Sequence, residues 1–239
     1  MNLSPQIQPD SPVRGRAAPL RWAEDHGVVI AANDVELTGH FAVPHGLLGT
    51  VLLAHPGAIG RHSLEQRFVA SVLAQAGLAT LVVNLLTQAE ERDCAALRAD
   101  VPLLADRIVA ATDWLSTRAS TAGLPVGYFS EGVVVAGAVV GAAMRPTVVR
   151  AIVSGDGRPD LGGAALMLMQ APTLLVVSGY DARLHAANHG AFERLRGEKH
   201  LEVIHPTTHA DAGFDRLVSM GRDWFVRHFG QAPRCAAPV

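Results

Sequence analysis

Asp181 and His209 are a carboxylate and an imidazole that follow two apolar runs, Thr173 to Val177 and Leu201 to Ile204, in the order acid then base. A histidine steered by a carboxylate takes and returns protons near neutral pH, and such positioned transfer contributes roughly a hundredfold to ten-thousandfold to a rate. The missing part is a nucleophile, and the place to seek it is the segment from Leu124 to Ala136, Leu-Pro-Val-Gly-Tyr-Phe-Ser-Glu-Gly-Val-Val-Val-Ala. It reads as a short buried strand, a tight turn and the start of an apolar helix, the setting in which a nucleophile stands on a strained turn. The motif G-x-S-x-G is absent from it. That spacing exists because strand and helix can approach only if the residues two before and two after the tip are small. With Gly132 at the tip the neighbours are Ser130 and Val134; with Ser130 at the tip they are Tyr128 and Gly132. Each register carries one violation.

Several other residues could serve such a site. The backbone N–H of Val133 and one from the Gly57-Ala58 loop would make an oxyanion hole, which stabilises an enolate as well as a tetrahedral alkoxide. Arg61 and His62 precede a helix and could face an anionic substrate, while Ser63 reads as its N-cap. Glu131, beside the tip, is a base if it points inward and a solvated turn residue otherwise. Tyr180 is a candidate pocket wall. Asp156 and Asp160 flank Arg158 as a cap and ion-pair group, with substrate contact as the alternative for Asp156. Asp181 has a second reading as a helix N-cap, and His209 as a surface-loop histidine.

The elements that must position these groups alternate along the chain. Val28 to Ala32 and Val35 to Val43, split by Asn33-Asp34, predict an antiparallel edge hairpin. Val51 to Ala54, Leu78 to Val83, Pro125 to Phe129, Val148 to Val153, Thr173 to Val177 and Leu201 to Ile204 predict further strands. Helices are expected over Leu64 to Gln75, Asp100 to Arg118 and Val133 to Met144, around Ala164 and Ala191, and over Phe214 to His228. This order predicts an α/β fold with a mostly parallel sheet covered on both faces, its functional groups gathered at the carboxyl ends of the strands. The expected organisation is a disordered arm over residues 1–19, one domain over 20–230 and a tail over 231–239.

At this point the residues resemble a family. His55 to Phe229 is similar to the dienelactone-hydrolase-like branch of the α/β-hydrolases, including forms fused to phosphoribosyltransferases. The pieces that carry the resemblance are R-H-S at Arg61 to Ser63, G-Y-F at Gly127 to Phe129, G-R-P-D at Gly157 to Asp160, A-P-T-L-L at Ala171 to Leu175, and Trp224-Phe225. It implies an α/β-hydrolase fold and a Ser-Asp-His site, with Asp181 and His209 in the acid and base positions. Members similar to this chain read G-Y-F-G-x-S-x-G, and laid over it without a gap their serine falls on Gly132. The resemblance, together with glycine's tolerance of a strained backbone, favours Gly132 as the tip.

Without an acylating side chain the expected chemistry is general acid/base work on a small carbonyl metabolite, by a lyase, cyclase or isomerase of secondary metabolism. The alternatives are an ester or lactone hydrolase using Ser130, and a non-catalytic binding protein on the same fold.

Bulk properties narrow the partners. The chain has 239 residues, is 49% hydrophobic and carries a formal net charge of −2, so no basic surface calls for nucleic acid. No apolar run reaches the roughly 18 residues of a membrane span. Two cysteines, Cys94 and Cys235, suggest neither a disulfide framework nor a zinc site and fit a cytoplasmic setting. Lys199 is the sole lysine, in polar surroundings unsuited to a Schiff base. His185 with His189 and His205 with His209 have half-site spacing for zinc, but Pro206 breaks the second pair and no third ligand is evident, so no metal is assigned. No cofactor signature is present. The partner expected is a small-molecule substrate, with a homodimer as the assembly held open.

Overall fold

Asn33-Asp34 closes the first hairpin, and Asn33 takes the left-handed conformation (φ 51°) that such a turn requires. The computed structural model describes residues 22–57, 64–179, 181–205 and 211–230. In it β1 (Trp22–Ala32) and β2 (Val35–Pro44) form the antiparallel edge pair, in register from Ala32 opposite Val35. β2 also pairs antiparallel with β4 (Leu78–Asn84). From β4 onward all neighbours are parallel, through β3 (Gly49–His55), β5 (Val126–Glu131), β6 (Val149–Gly155), β7 (Thr173–Ser178) and β8 (Lys199–Ile204). The eight-stranded order is β1-β2-β4-β3-β5-β6-β7-β8, and β3 and β5 lie at its centre.

Two helical layers cover it. On one face α3 (Val101–Ser116), α4 (Val134–Met144), α5 (Ala165–Leu168) and α6 (Ala182–Arg194) pack against Leu52, Tyr128, Ile152 and Leu175. On the other, α1 (Leu64–Gln75) and α7 (Asp211–Gly230) cover Val51, Leu53, Phe129 and Val153. The continuous apolar runs of β3 and β4 follow from burial on both sides. α4, apolar around its circumference, is clamped between the sheet and α3. α7 lays Phe225 over Gly127 and Phe229 over Gly49, glycines at which any side chain would overlap the rings. The parallel ladders set the carboxyl ends of β3, β5, β6 and β7 side by side.

One element was not expected from the sequence. After β4 the chain forms α2 (Gln88–Asp93) and a 3-10 turn (Ala95–Ala99). Thr87 and Glu90 make a reciprocal capping box. Glu90 also takes two guanidinium donors from Arg107, at 2.9 and 2.5 Å, and Arg107 is 4% exposed. Arg107 gives a further bond to the Leu85 carbonyl, and the Leu85 amide donates to the His55 carbonyl at 2.7 Å. A buried guanidinium thus braces the end of β3 from behind.

The Arg107 bonds hold the Glu90 carboxyl down to about 2. Its folded value is depressed, so the stabilisation is present above the unfolded value near 4.5 and is lost as pH falls toward 2. Glu90→Gln is therefore expected to cost about 2–3 kcal/mol at pH 7, a difference that shrinks steadily below pH 4 in urea unfolding followed by circular dichroism.

Candidate active site

β5 ends at Glu131 and α4 begins at Val134, so the chain reverses within Gly132 and Val133. Gly132 has φ +59°, and among the described residues a Cβ placed on it would find no heavy atom within 4 Å. The tight turn anticipated from the sequence is present, and Gly132 is its left-handed residue. Val133 already has helical dihedrals (φ −69°, ψ −26°). Its amide is the first after the apex, at a helix N-terminus where N–H groups lack intrahelical acceptors. The Gly132 carbonyl accepts from the Arg158 amide at 2.9 Å, which ties the turn to the loop after β6.

Strand alternation sorts the two residues before the apex. Tyr128 and Ser130 face the α3/α4 layer, whereas Phe129 and Glu131 face α1 and α7. Ser130 belongs to the strand rather than to a loop; it is 2% exposed, and among the described residues its Oγ has no hydrogen-bond partner. Its neighbour across the ladder, Ser154, is equally buried and unpartnered. The sequence placed Ser130-Glu131-Gly132 together in a loop, but only Gly132 is outside the strand.

Glu131, the last residue of β5, is exposed. Gly155 leaves room for it: a Cβ there would lie 3.3 Å from Glu131 Cγ, 3.5 Å from its Oε1 and 2.6 Å from Leu217 Cδ2. Burial of the carboxyl first, and the charges of Glu65 and Asp156 second, push it up to about 7. On the adjacent strand His55 continues the alternation Val51-Leu53 toward the same side of the sheet. Burial lowers its pKa, opposed by a hydrogen bond with Gln66 and by the Glu65 charge. His55 was legible only as the start of the polar cluster His55-Pro56-Gly57 after an apolar strand, and Glu65 and Gln66 of α1 were not singled out from the sequence.

The acidic residues downstream divide their work. Asp156 has φ 42°, and its carboxylate accepts from the Ser178 amide and hydroxyl, each at 2.6 Å, locking β6 to β7. Arg158 instead makes a two-point pair with Asp160, at 2.8 Å for both bonds. The expected three-residue group is thus a single pair, because Asp156 has found its donors across the sheet. Asp181 caps α6, its Oδ1 accepting from the amides of Arg183 and Leu184 at 2.9 and 3.0 Å. That satisfies two helix-end donors and leaves the second oxygen of a loop carboxylate to face other groups. Gly57 is buried where a Cβ would overlap the Glu91 carboxylate, so the loop after β3 packs closely on α2.

Ala58, Arg61, His62, Ser63, Tyr180 and His209 lie outside the described residues. Lys199 donates to the carbonyls of Phe192 and Leu195 at 2.7 and 2.9 Å, a capping role for the end of α6. Among the described residues no group of three or more His, Cys, Asp or Glu could hold a metal ion. No helix there is long and apolar enough to cross a membrane.

No protein-family model matches the chain. Among solved structures it is similar to a dienelactone hydrolase from Anabaena variabilis, with a TM-score of 0.81 and 41% identity over 86% of this chain and 98% of that one. A cold-adapted esterase from an Arctic intertidal metagenomic library shares the fold, with a TM-score of 0.68 at 15% identity over 87% and 99% of the two chains. A protein of Mycobacterium tuberculosis that carries the provisional name phosphoribosyl transferase is 41% identical over 213 residues, 88% of this chain. The chain spans about half the length of the curated relatives it matches, 47%.

The open space at the apex sets an order of tolerance. Gly132→Ala is expected to cost roughly 1–2 kcal/mol through backbone strain alone, and Gly132→Asn less, since asparagine enters the left-handed region more readily. Thermal unfolding of the two variants checks this; a milder alanine would mean that space, not φ, governs the position.

Proposed function

The chain belongs to the dienelactone hydrolase family of the α/β-hydrolase fold, and from that premise we propose an enzyme of small carbonyl compounds that works without an acyl-enzyme intermediate. Residues 20–230 form its single domain. His209, oriented by Asp181, is the general base and acid, and the amides of Val133 and the Gly57-Ala58 loop receive negative charge as it develops on the carbonyl oxygen. Proton removal beside a carbonyl, followed by elimination, ring closure or return of the proton to a different carbon, gives lyase, cyclase or isomerase chemistry.

One observation supports the reading above others: the apex is a glycine in the left-handed region with open space above it, while the hydroxyl nearest in sequence is buried beneath the turn. Glycine retains the amides that an elbow offers but cannot attack an ester. Ser130 as a nucleophile would need its Oγ at the apex, and it points to the opposite side of the strand from Glu131, under α4.

The test restores what is missing. Gly132→Ser is expected to gain labelling by a fluorophosphonate probe and a burst of nitrophenol from 4-nitrophenyl acetate, both abolished by adding His209→Ala, and the natural chain is expected to show neither. Intact-mass labelling of the natural chain at Ser130 would replace this reading with ordinary ester hydrolysis.

A further inference from the structure

We propose that Phe68 and Phe214 form an aromatic wall of the crevice at the carboxyl ends of the strands, placed to hold the flat apolar ring of an aryl carbonyl substrate. The inference deepens the preceding reading: it takes the carbonyl group from that reading and the ring from the structure alone.

The position of the wall follows from α7, whose contacts step along the sheet. Phe229 stands against Gly49, Phe225 against Gly127, Gly221 against Phe129 and Val153, and Leu217 against Gly155. Gly49 opens β3 and Gly155 ends β6, so α7 runs from the carboxyl ends of the strands toward their amino ends. Phe214, three residues before Leu217, lies about 4.5 Å further along the helix axis and therefore past the last residue of β6. Its side chain remains partly buried against the core of that face. It is an anchored ring.

The second ring comes from α1 at the same end. Gln66 hydrogen-bonds His55, the last residue of β3, and the charge of Glu65 acts on both His55 and Glu131. Phe68 lies one turn after Glu65 on the same side of the helix. The rings of Phe68 and Phe214 meet between the two helices, their centroids 6.2 Å apart and their planes at 40°. A further ring can pack by edge or offset face against such a pair.

Exposure sets Phe68 apart. It is 41% exposed, and among the described residues no other phenylalanine, tyrosine or tryptophan is exposed. The exposed side chains of Met144, Leu161, Met167 and Leu168 belong to α4, α5 and the turn before α5, over the opposite face of the sheet. A ligand ring laid on Phe68 removes apolar surface of both partners from water, and Phe214 fixes where it lies.

The probes are acetophenone and cyclohexyl methyl ketone, which share a carbon skeleton and differ in the flatness of the ring, titrated into the intact chain and read by saturation-transfer NMR. The natural chain is expected to bind acetophenone saturably and more tightly than the cyclohexyl ketone. Phe68→Ala is expected to raise the acetophenone Kd about three- to tenfold, Phe68→Tyr to restore it, and Leu168→Ala on the opposite face to leave it unchanged. Removal of an exposed ring empties no core space, and circular dichroism verifies that the variants are folded. Absence of saturable binding, equal affinity for the two ketones, a Kd unmoved in Phe68→Ala, or an equal loss in Leu168→Ala overturns the proposal. Exchange of the acetophenone methyl protons for solvent deuterium, followed in the same samples, tests the His209 reading separately. Ring binding that depends on Phe68 without such exchange supports the wall and counts against that reading; exchange without a Phe68-dependent Kd overturns the wall and leaves that reading standing.

Discussion

The left-handed backbone at Gly132 is the constraint from which the rest of the site follows. A strand that ends at Glu131 and a helix that starts at Val134 can be joined by two residues only if one of them turns sharply, and an L side chain resists that turn by roughly 1–2 kcal/mol. The turn is then held from outside. The Gly132 carbonyl receives the Arg158 amide, Arg158 is fixed by Asp160, and Asp156 fastens the end of β6 to Ser178 of β7. Loops after three successive strands are thereby coupled, so a shift in one would move the others.

The opposite wall of the site is braced by different means. There the buried Arg107 links Glu90 of α2 to Leu85, and Leu85 to the backbone of His55, while Glu91 closes on Gly57. Charge buried in this network is matched, donor to acceptor, as the low dielectric demands. The contrast with Glu131 is informative. The same chain that supplies Glu90 with Arg107, and Asp113 with Arg145, leaves a carboxyl beside the apex among like charges.

Much of the architecture was legible because periodicity and punctuation agreed. Asn33-Asp34 marked the hairpin, Gly77 ended α1 where its stripe of apolar residues stopped, and the unbroken runs in β3 and β4 announced strands buried on both faces. α2 escaped because none of its six residues is buried, so it has no apolar stripe; the Thr87-x-x-Glu90 box was its only trace. The partners of Asp156 escaped for another reason. Sequence proximity favoured Arg158, two residues away, but a strand end sends adjacent side chains in different directions, and the nearest donors belonged to β7. The register of the turn could not be decided by counting small residues, since both choices failed once. The sheet commits Tyr128 and Ser130 to one face, and the left-handed residue of the turn is Gly132.

A turn that keeps its shape without its usual side chain has a physical logic. Serine at a left-handed apex is strained, and that strain is tolerated in a hydrolase because the hydroxyl does the chemistry. Glycine carries no such strain, and here it is followed by the helix-end amide of Val133. Among the described residues nothing lies within 4 Å of where a Cβ on Gly132 would stand. The proposed proton transfer is consistent with such a turn, because it asks the apex for backbone N–H groups and not for an attacking side chain.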